Sequence, residues 1–170
     1  MIPGYNKKLE TYLNSDPELQ RRLKGFKTFS GTPDGHYKRA RLEGEKSIAR
    51  AVKCYPFGGK SLLDGHEIIS IINEDDAESS FAISLNNNIF SVKKSEGLNP
   101  LLTLALPKEV FKNAMLGRYR WLWVIGMDEV KVKYSDDLPH SDWVTILEIL
   151  VAMQEMSEFD PGLREEIERL

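Results

Sequence analysis

Residues 81–134 change their hydrophobic period several times, and each change is punctuated. Phe81-Ala82-Ile83-Ser84-Leu85 alternates as a half-buried strand does, Asn86-Asn87-Asn88 interrupts it, and Ile89-Phe90-Ser91-Val92 resumes it. Leu102-Thr103-Leu104-Ala105-Leu106 is a further strand, running into a helix opened by Pro107 and closed by Gly117. Trp121-Leu122-Trp123-Val124-Ile125 is strongly apolar, and Val130-Lys131-Val132-Lys133-Tyr134 alternates with its lysines on the solvent face. The order predicts a small antiparallel sheet with a helix and an apolar segment covering one side. It is a pattern for enclosing apolar matter, and it has none of the makings of a catalytic centre.

The flanks extend this picture. Glu67-Ile68-Ile69-Ser70-Ile71-Ile72 is rich in β-branched residues and reads as a strand, ended by Asn73-Glu74-Asp75-Asp76. Ser15-Asp16-Pro17-Glu18 predicts a helix start, with Ser15 as cap, Pro17 in the first turn and Glu18 completing a capping box. Leu19, Leu23 and Phe26 follow at helical spacing, with Gly25 near the exit. Two glycines and a proline impose a loop on residues 30–35, and Pro56-Phe57-Gly58-Gly59 breaks the chain again. Between them, Ser47-Ile48-Ala49-Arg50-Ala51-Val52 fits strand or helix equally. The last large element is a helix from about Ser141-Asp142, carrying Trp143, Ile146, Leu147, Leu150 and Met153 on one stripe and Glu148 and Glu155 on the other side. Asp160-Pro161 opens a short charged helix over 163–170.

A chain of 170 residues is long enough for one domain with a sizeable core, and 41% hydrophobic with 29% charged residues is ordinary for a globular protein. The net charge of −3 gives no long-range attraction to nucleic acid or to an anionic membrane. Cys54 is the single cysteine, which excludes an intrachain disulfide and any multi-cysteine metal site and suits a reducing compartment. The start Met1-Ile2-Pro3-Gly4 has no signal-peptide core, no window approaches a membrane span, and neither end carries a lipidation motif. The expectation is a cytoplasmic protein without stable membrane insertion.

The segments quoted above resemble, over about residues 68–156, the sterol carrier protein family of the type-2 kind. Phe81-Ala82-Ile83-Ser84-Leu85 with its Asn-rich turn is similar to that family's second strand and hairpin. Ser91-Val92-Lys93-Lys94-Ser95-Glu96 is similar to its basic third strand, and the strand 102–106 with its helix to its following pair. Gly126 ahead of Val130-Lys131-Val132 is similar to its glycine-led last strand, and the helix from Trp143 to its final amphipathic helix. The resemblance implies an α+β fold: about five mostly antiparallel strands covered by helices, enclosing an apolar tunnel. It also implies non-enzymatic binding of a lipid, whether fatty acyl, acyl-CoA or sterol-like. Residues 1–65 then form an extension packed on the core, 66–158 the carrier-like domain, and 159–170 a terminal helix. Arg118-Tyr119-Arg120-Trp121 stands where the family has an Asn-Pro pair, Ile125 where it often has glutamine, and Met127-Asp128-Glu129 lengthens the last loop.

The lining of such a cavity would come from Phe111, Met115, Trp121, Trp123, Ile125, Trp143, Ile146, Leu147 and Leu150. The plain meaning of the same stripes is a close-packed core. Two tryptophans two positions apart do not share one side of a helix, so one faces inward and the other a rim or a partner surface. Phe57-Gly58-Gly59-Lys60-Ser61 has the ending of a phosphate loop, but Cys54 stands where the loop needs its first glycine. If a phosphate-bearing lipid bound, Lys60, Arg50 or Lys53 would reach its charges. Cys54 with His36, His66 or His140 supplies the residue types of a nucleophile and base without the flanking signature of either. The acidic runs at 73–76 and 135–137 lack calcium-loop spacing, and the basic run 36–41 sits in no nucleic-acid module. No cofactor and no metal is expected. The partner is an apolar small molecule, a homodimer is compatible, and an interaction or oligomerisation module with a filled core is the alternative.

Overall fold

A computed structural model describes residues 2–24, 61–95, 99–138 and 143–169. The described elements are α1 (Pro3–Ser15), α2 (Pro17–Lys24), β1 (His66–Asn73), β2 (Phe81–Asn86), β3 (Ile89–Lys93) and β4 (Leu102–Leu106), followed by α3 (Lys108–Met115), α4 (Trp121–Val124), β5 (Lys131–Tyr134), α5 (Trp143–Phe159) and α6 (Pro161–Glu168). The five strands form one sheet in the order β3-β2-β1-β4-β5. Three of its pairings are antiparallel and one, β1 with β4, is parallel. The fold is therefore α+β, with a mostly antiparallel five-stranded sheet, as the resemblance implies.

Local chemistry explains the elements. Asn87 and Asn88 both take positive φ, +52° and +62°, giving the twist that joins two antiparallel strands in a two-residue hairpin. Asparagine tolerates that region because its short polar side chain bonds locally. Gly117 at φ +72° ends α3, where its N–H reaches the Ala114 carbonyl at 3.0 Å. Asp160 caps α6 by accepting from the Leu163 N–H at 3.1 Å.

One expectation, the Ser15 cap, is corrected at the N-terminus. A full helix, α1, precedes the one read from Ser15, and Ser15 is its last residue, bonding back to the Thr11 and Tyr12 carbonyls. The cap of α2 is Asp16, whose carboxylate accepts from the Leu19 N–H at 2.9 Å. Asp16 and Ser15 are both competent caps; the shorter link between the two helices selects the residue nearer Pro17. The acidic run after β1 is a turn: Asp76 accepts from the Glu78 N–H, and Asp75 reaches across to the Lys108 N–H at 2.8 Å at the start of α3.

The helical layer and the sheet share one buried cluster. Tyr5, Leu9 and Leu13 of α1 and Leu19 and Leu23 of α2 join Ile69, Ile71, Phe81, Ile83, Leu102 and Leu104 of the sheet. Tyr5 packs against Phe81 with ring centroids 5.5 Å apart and the planes tilted by 54°. Burial of each such side chain contributes about 1.5–3 kcal/mol. On the other face the cross-strand partners are Thr103, Ser70, Ala82 and Lys93, a row without a large apolar side chain.

Candidate functional site

α1 presents three faces. Its Tyr5, Leu9 and Leu13 face points into the core. A second stripe, Glu10 and Asn14, meets the free edge of β3: Asn14 exchanges two bonds of 2.8 Å with the Phe90 N–H and carbonyl, and Glu10 accepts from the Val92 N–H at 2.9 Å. The third face, Gly4, Lys7, Lys8, Thr11, Tyr12 and Ser15, borders a groove of about 600 Å³ whose far wall is Met156 of α5 and Asp160. Its walls are mainly non-polar, and its volume lies within the range of small-molecule sites.

The spacing of this face is what makes the groove. Gly4, Lys8, Thr11 and Ser15 recur at helical intervals, and three of the four are short, so the helix surface stays low between its longer neighbours. Lys8 closes one end through a 2.6 Å ion pair with Asp160. The Lys8 ammonium holds the Asp160 carboxyl below the usual carboxylate range. Tyr12 gives the groove an aromatic wall and donates its hydroxyl to Glu155 at 3.1 Å. Burial, followed by the bond to Glu155 and the charges of Glu155 and Asp16, raises the Tyr12 phenol to about 12. Lys7 is exposed at the rim.

The residues read as a cavity lining are divided. Phe111, Met115, Trp121, Ile146 and Leu150 are brought together, fully buried in the common cluster where α3, α4 and α5 pack. Ile125 and Trp143 are half-buried against that cluster, Trp143 meeting Tyr134 edge-on at 5.3 Å. Leu147 is half-buried on α5, and Trp123 points outward at 66% exposure. None of these nine residues borders the α1 groove. The groove residues were missed because their signal, a run of short side chains at helical spacing, lies in a helix the sequence reading did not separate.

The remaining candidates fall outside this arrangement. His66 opens β1, its N–H bonded to the Leu63 carbonyl at 3.2 Å. Cys54, His36, His140, Arg50, Lys53 and Lys60, with the basic run 36–41, lie outside the described residues. Among the described residues no three His, Cys, Asp or Glu side chains are grouped to hold a metal ion, and no helix is long and apolar enough to cross a membrane.

No protein-family model matches the chain, and no curated protein matches it. A solved structure of a UbiJ-SCP2 ubiquinone synthesis protein is similar with a TM-score of 0.44 and 15% identity, covering 94% of this chain and 92% of that one. At that identity nothing about ligand or activity passes from that protein to this chain.

Proposed function

We propose that the protein binds and carries an apolar small molecule of lipid character without transforming it. The observation that carries this reading is the mainly non-polar groove between α1 and the α5–α6 junction. Burial is the mechanism: each methylene taken from water contributes about 0.8 kcal/mol, so about six of them supply roughly 5 kcal/mol without a charged anchor. A chain ending in an acidic head, a fatty acyl or acyl-CoA ligand, would set that head at Lys7, away from the Glu166 carboxylate that lies against Gly4. Lys7 stands there with its ammonium in solvent, while Lys8 answers Asp160. A cytoplasmic carrier is the setting that accords with this reading.

The filled-core alternative draws on one specific observation, the complete burial of Phe111, Met115, Trp121, Ile146 and Leu150 together. The two readings separate by mutation. In titrations with a fluorescent fatty acid, Thr11→Arg, an exposed change that fills the groove with a charge, should cut uptake at least about tenfold at unchanged helical signal. Leu147→Arg, on the half-buried side of α5, should leave uptake within about twofold. Loss through Leu147→Arg alone would move the ligand beneath α5. No uptake by the unaltered protein would favour the interaction module.

A further inference from the structure

The four-residue helix α4 holds its side chains in two opposed pairs. Trp121 and Val124 are buried at 1% and 0% exposure, while Leu122 and Trp123 between them stand out at 47% and 66%. Isolated exposed apolar residues are normal on a protein surface, but a leucine and a tryptophan in adjacent positions form a wedge. The Trp123 peptide groups are satisfied from within, since its N–H reaches the Arg120 carbonyl at 2.8 Å and its carbonyl accepts from the Gly126 N–H at 3.0 Å. The wedge therefore enters a less polar medium without stranding those peptide groups. Buried Trp121 and Val124 fix its direction, so little ordering is needed on contact.

Charge stands beside the wedge. The Arg120 guanidinium lies over the Trp123 ring, 5.5 Å from its centre, and Arg118 is exposed one turn earlier. Residues 118–127 carry two arginines and no carboxylate, in a chain whose net charge is −3. Arg118 does meet Glu168 at 3.0 Å, but with both side chains more than half exposed the pair is readily exchanged for another anion. Asp128 and Glu129 follow the segment and set a limit on its pull.

We infer that α4 is a membrane-docking tip, with Leu122 and Trp123 entering the interfacial layer of a bilayer and Arg118 and Arg120 meeting anionic lipid headgroups. Tryptophan is the side chain that settles at headgroup depth, and each nearby arginine adds attraction to an anionic leaflet. The contact is peripheral and reversible, made by four residues, and is independent of whether the α1 groove holds a ligand.

The test is co-sedimentation of the full chain with vesicles of phosphatidylcholine, with and without phosphatidylserine. The unaltered protein should partition onto the phosphatidylserine vesicles, with tryptophan emission moving to shorter wavelength. Trp123→Ser should reduce partition onto both vesicle types on the order of tenfold. Arg118→Gln with Arg120→Gln should reduce it on the order of tenfold on phosphatidylserine vesicles only. Far-UV circular dichroism should be unchanged in each variant, and if Trp123→Ser unfolds the chain, Leu122→Ser gives the same reading. The inference is overturned if the unaltered protein binds neither vesicle, or if folded variants bind as well as it does. It is equally overturned if light scattering finds a dimer that Trp123→Ser splits while vesicle binding is absent.

Discussion

Asn14 does for β3 what a further strand would do. Its amide donates to and accepts from the Phe90 peptide, and Glu10 takes the next outward N–H at Val92. Removing a partner from a buried peptide group costs about 1–3 kcal/mol, so Asn14→Ala should lower unfolding free energy by that amount in urea titration. A change below about 0.5 kcal/mol would mean water replaces the amide without loss. Asn6 continues the same stripe but is buried at 6% exposure, with neither amide atom bonded to any described residue. Asn6→Leu, close in volume, should therefore stabilise the fold by about 1 kcal/mol; destabilisation would reveal a role for the amide. Tyr12 gives a pH signature. Its folded value near 12 lies above the ordinary phenol value of 10.0, so its contribution is complete below about 10 and is lost as pH rises through 12. Tyr12→Phe should flatten the alkaline fall in stability between those values.

The stripe on α1 works because two periods nearly agree. Four helical residues rise about 6.0 Å and two strand residues about 6.7 Å, so Asn14 and Glu10 both reach alternate peptides of β3. The ladder ends before Asn6 because the next alternate position, Lys94, lies beyond the end of β3 at Lys93. The strands themselves were legible: β-branched content placed β1 and apolar patterning β2 to β4 within a residue or two, and the three asparagines marked the hairpin. The helix α1 was not. Its core residues Tyr5, Leu9 and Leu13 are diluted by Asn6, Glu10 and Asn14, whose task depends on β3 being an edge, and edge position is a property of the assembled sheet. The spacing of Trp121 and Trp123 did show that one faces inward and one outward, and the short helix buries Trp121 and turns Trp123 to the surface. At the end of α3, Gly117→Ala should cost about 1–2 kcal/mol for its positive φ, with its new Cβ 3.4 Å from Gln154 and Ser157. Thermal unfolding at an unchanged midpoint would contradict that conformation.

At the level of the whole molecule the two sheet edges are protected differently. β3 is closed by α1, whereas β5 carries exposed Lys131 and Lys133, the former ion-paired with Glu74, which discourage pairing with another chain. Sheet closure by α1 is also what sets the groove: the stripe bonded to β3 and the core stripe fix the helix's rotation, leaving Gly4, Thr11 and Tyr12 to face Met156. The family resemblance anticipated the helix-covered sheet but directed attention to α3, α4 and α5, where five of the nine named side chains fill the core. Periodicity identifies an apolar face; it does not distinguish a face that meets protein from one that meets a ligand.

The most direct test of the binding reading is solvent extraction of the purified protein and of Thr11→Arg, with mass spectrometry against a mock purification, before and after both are offered fatty acids, acyl-CoA and sterols. The unaltered protein should yield a stoichiometric lipid, an acyl chain with an acidic head, and the folded variant little. An empty extract from the unaltered protein after loading, or equal lipid from both, would contradict it.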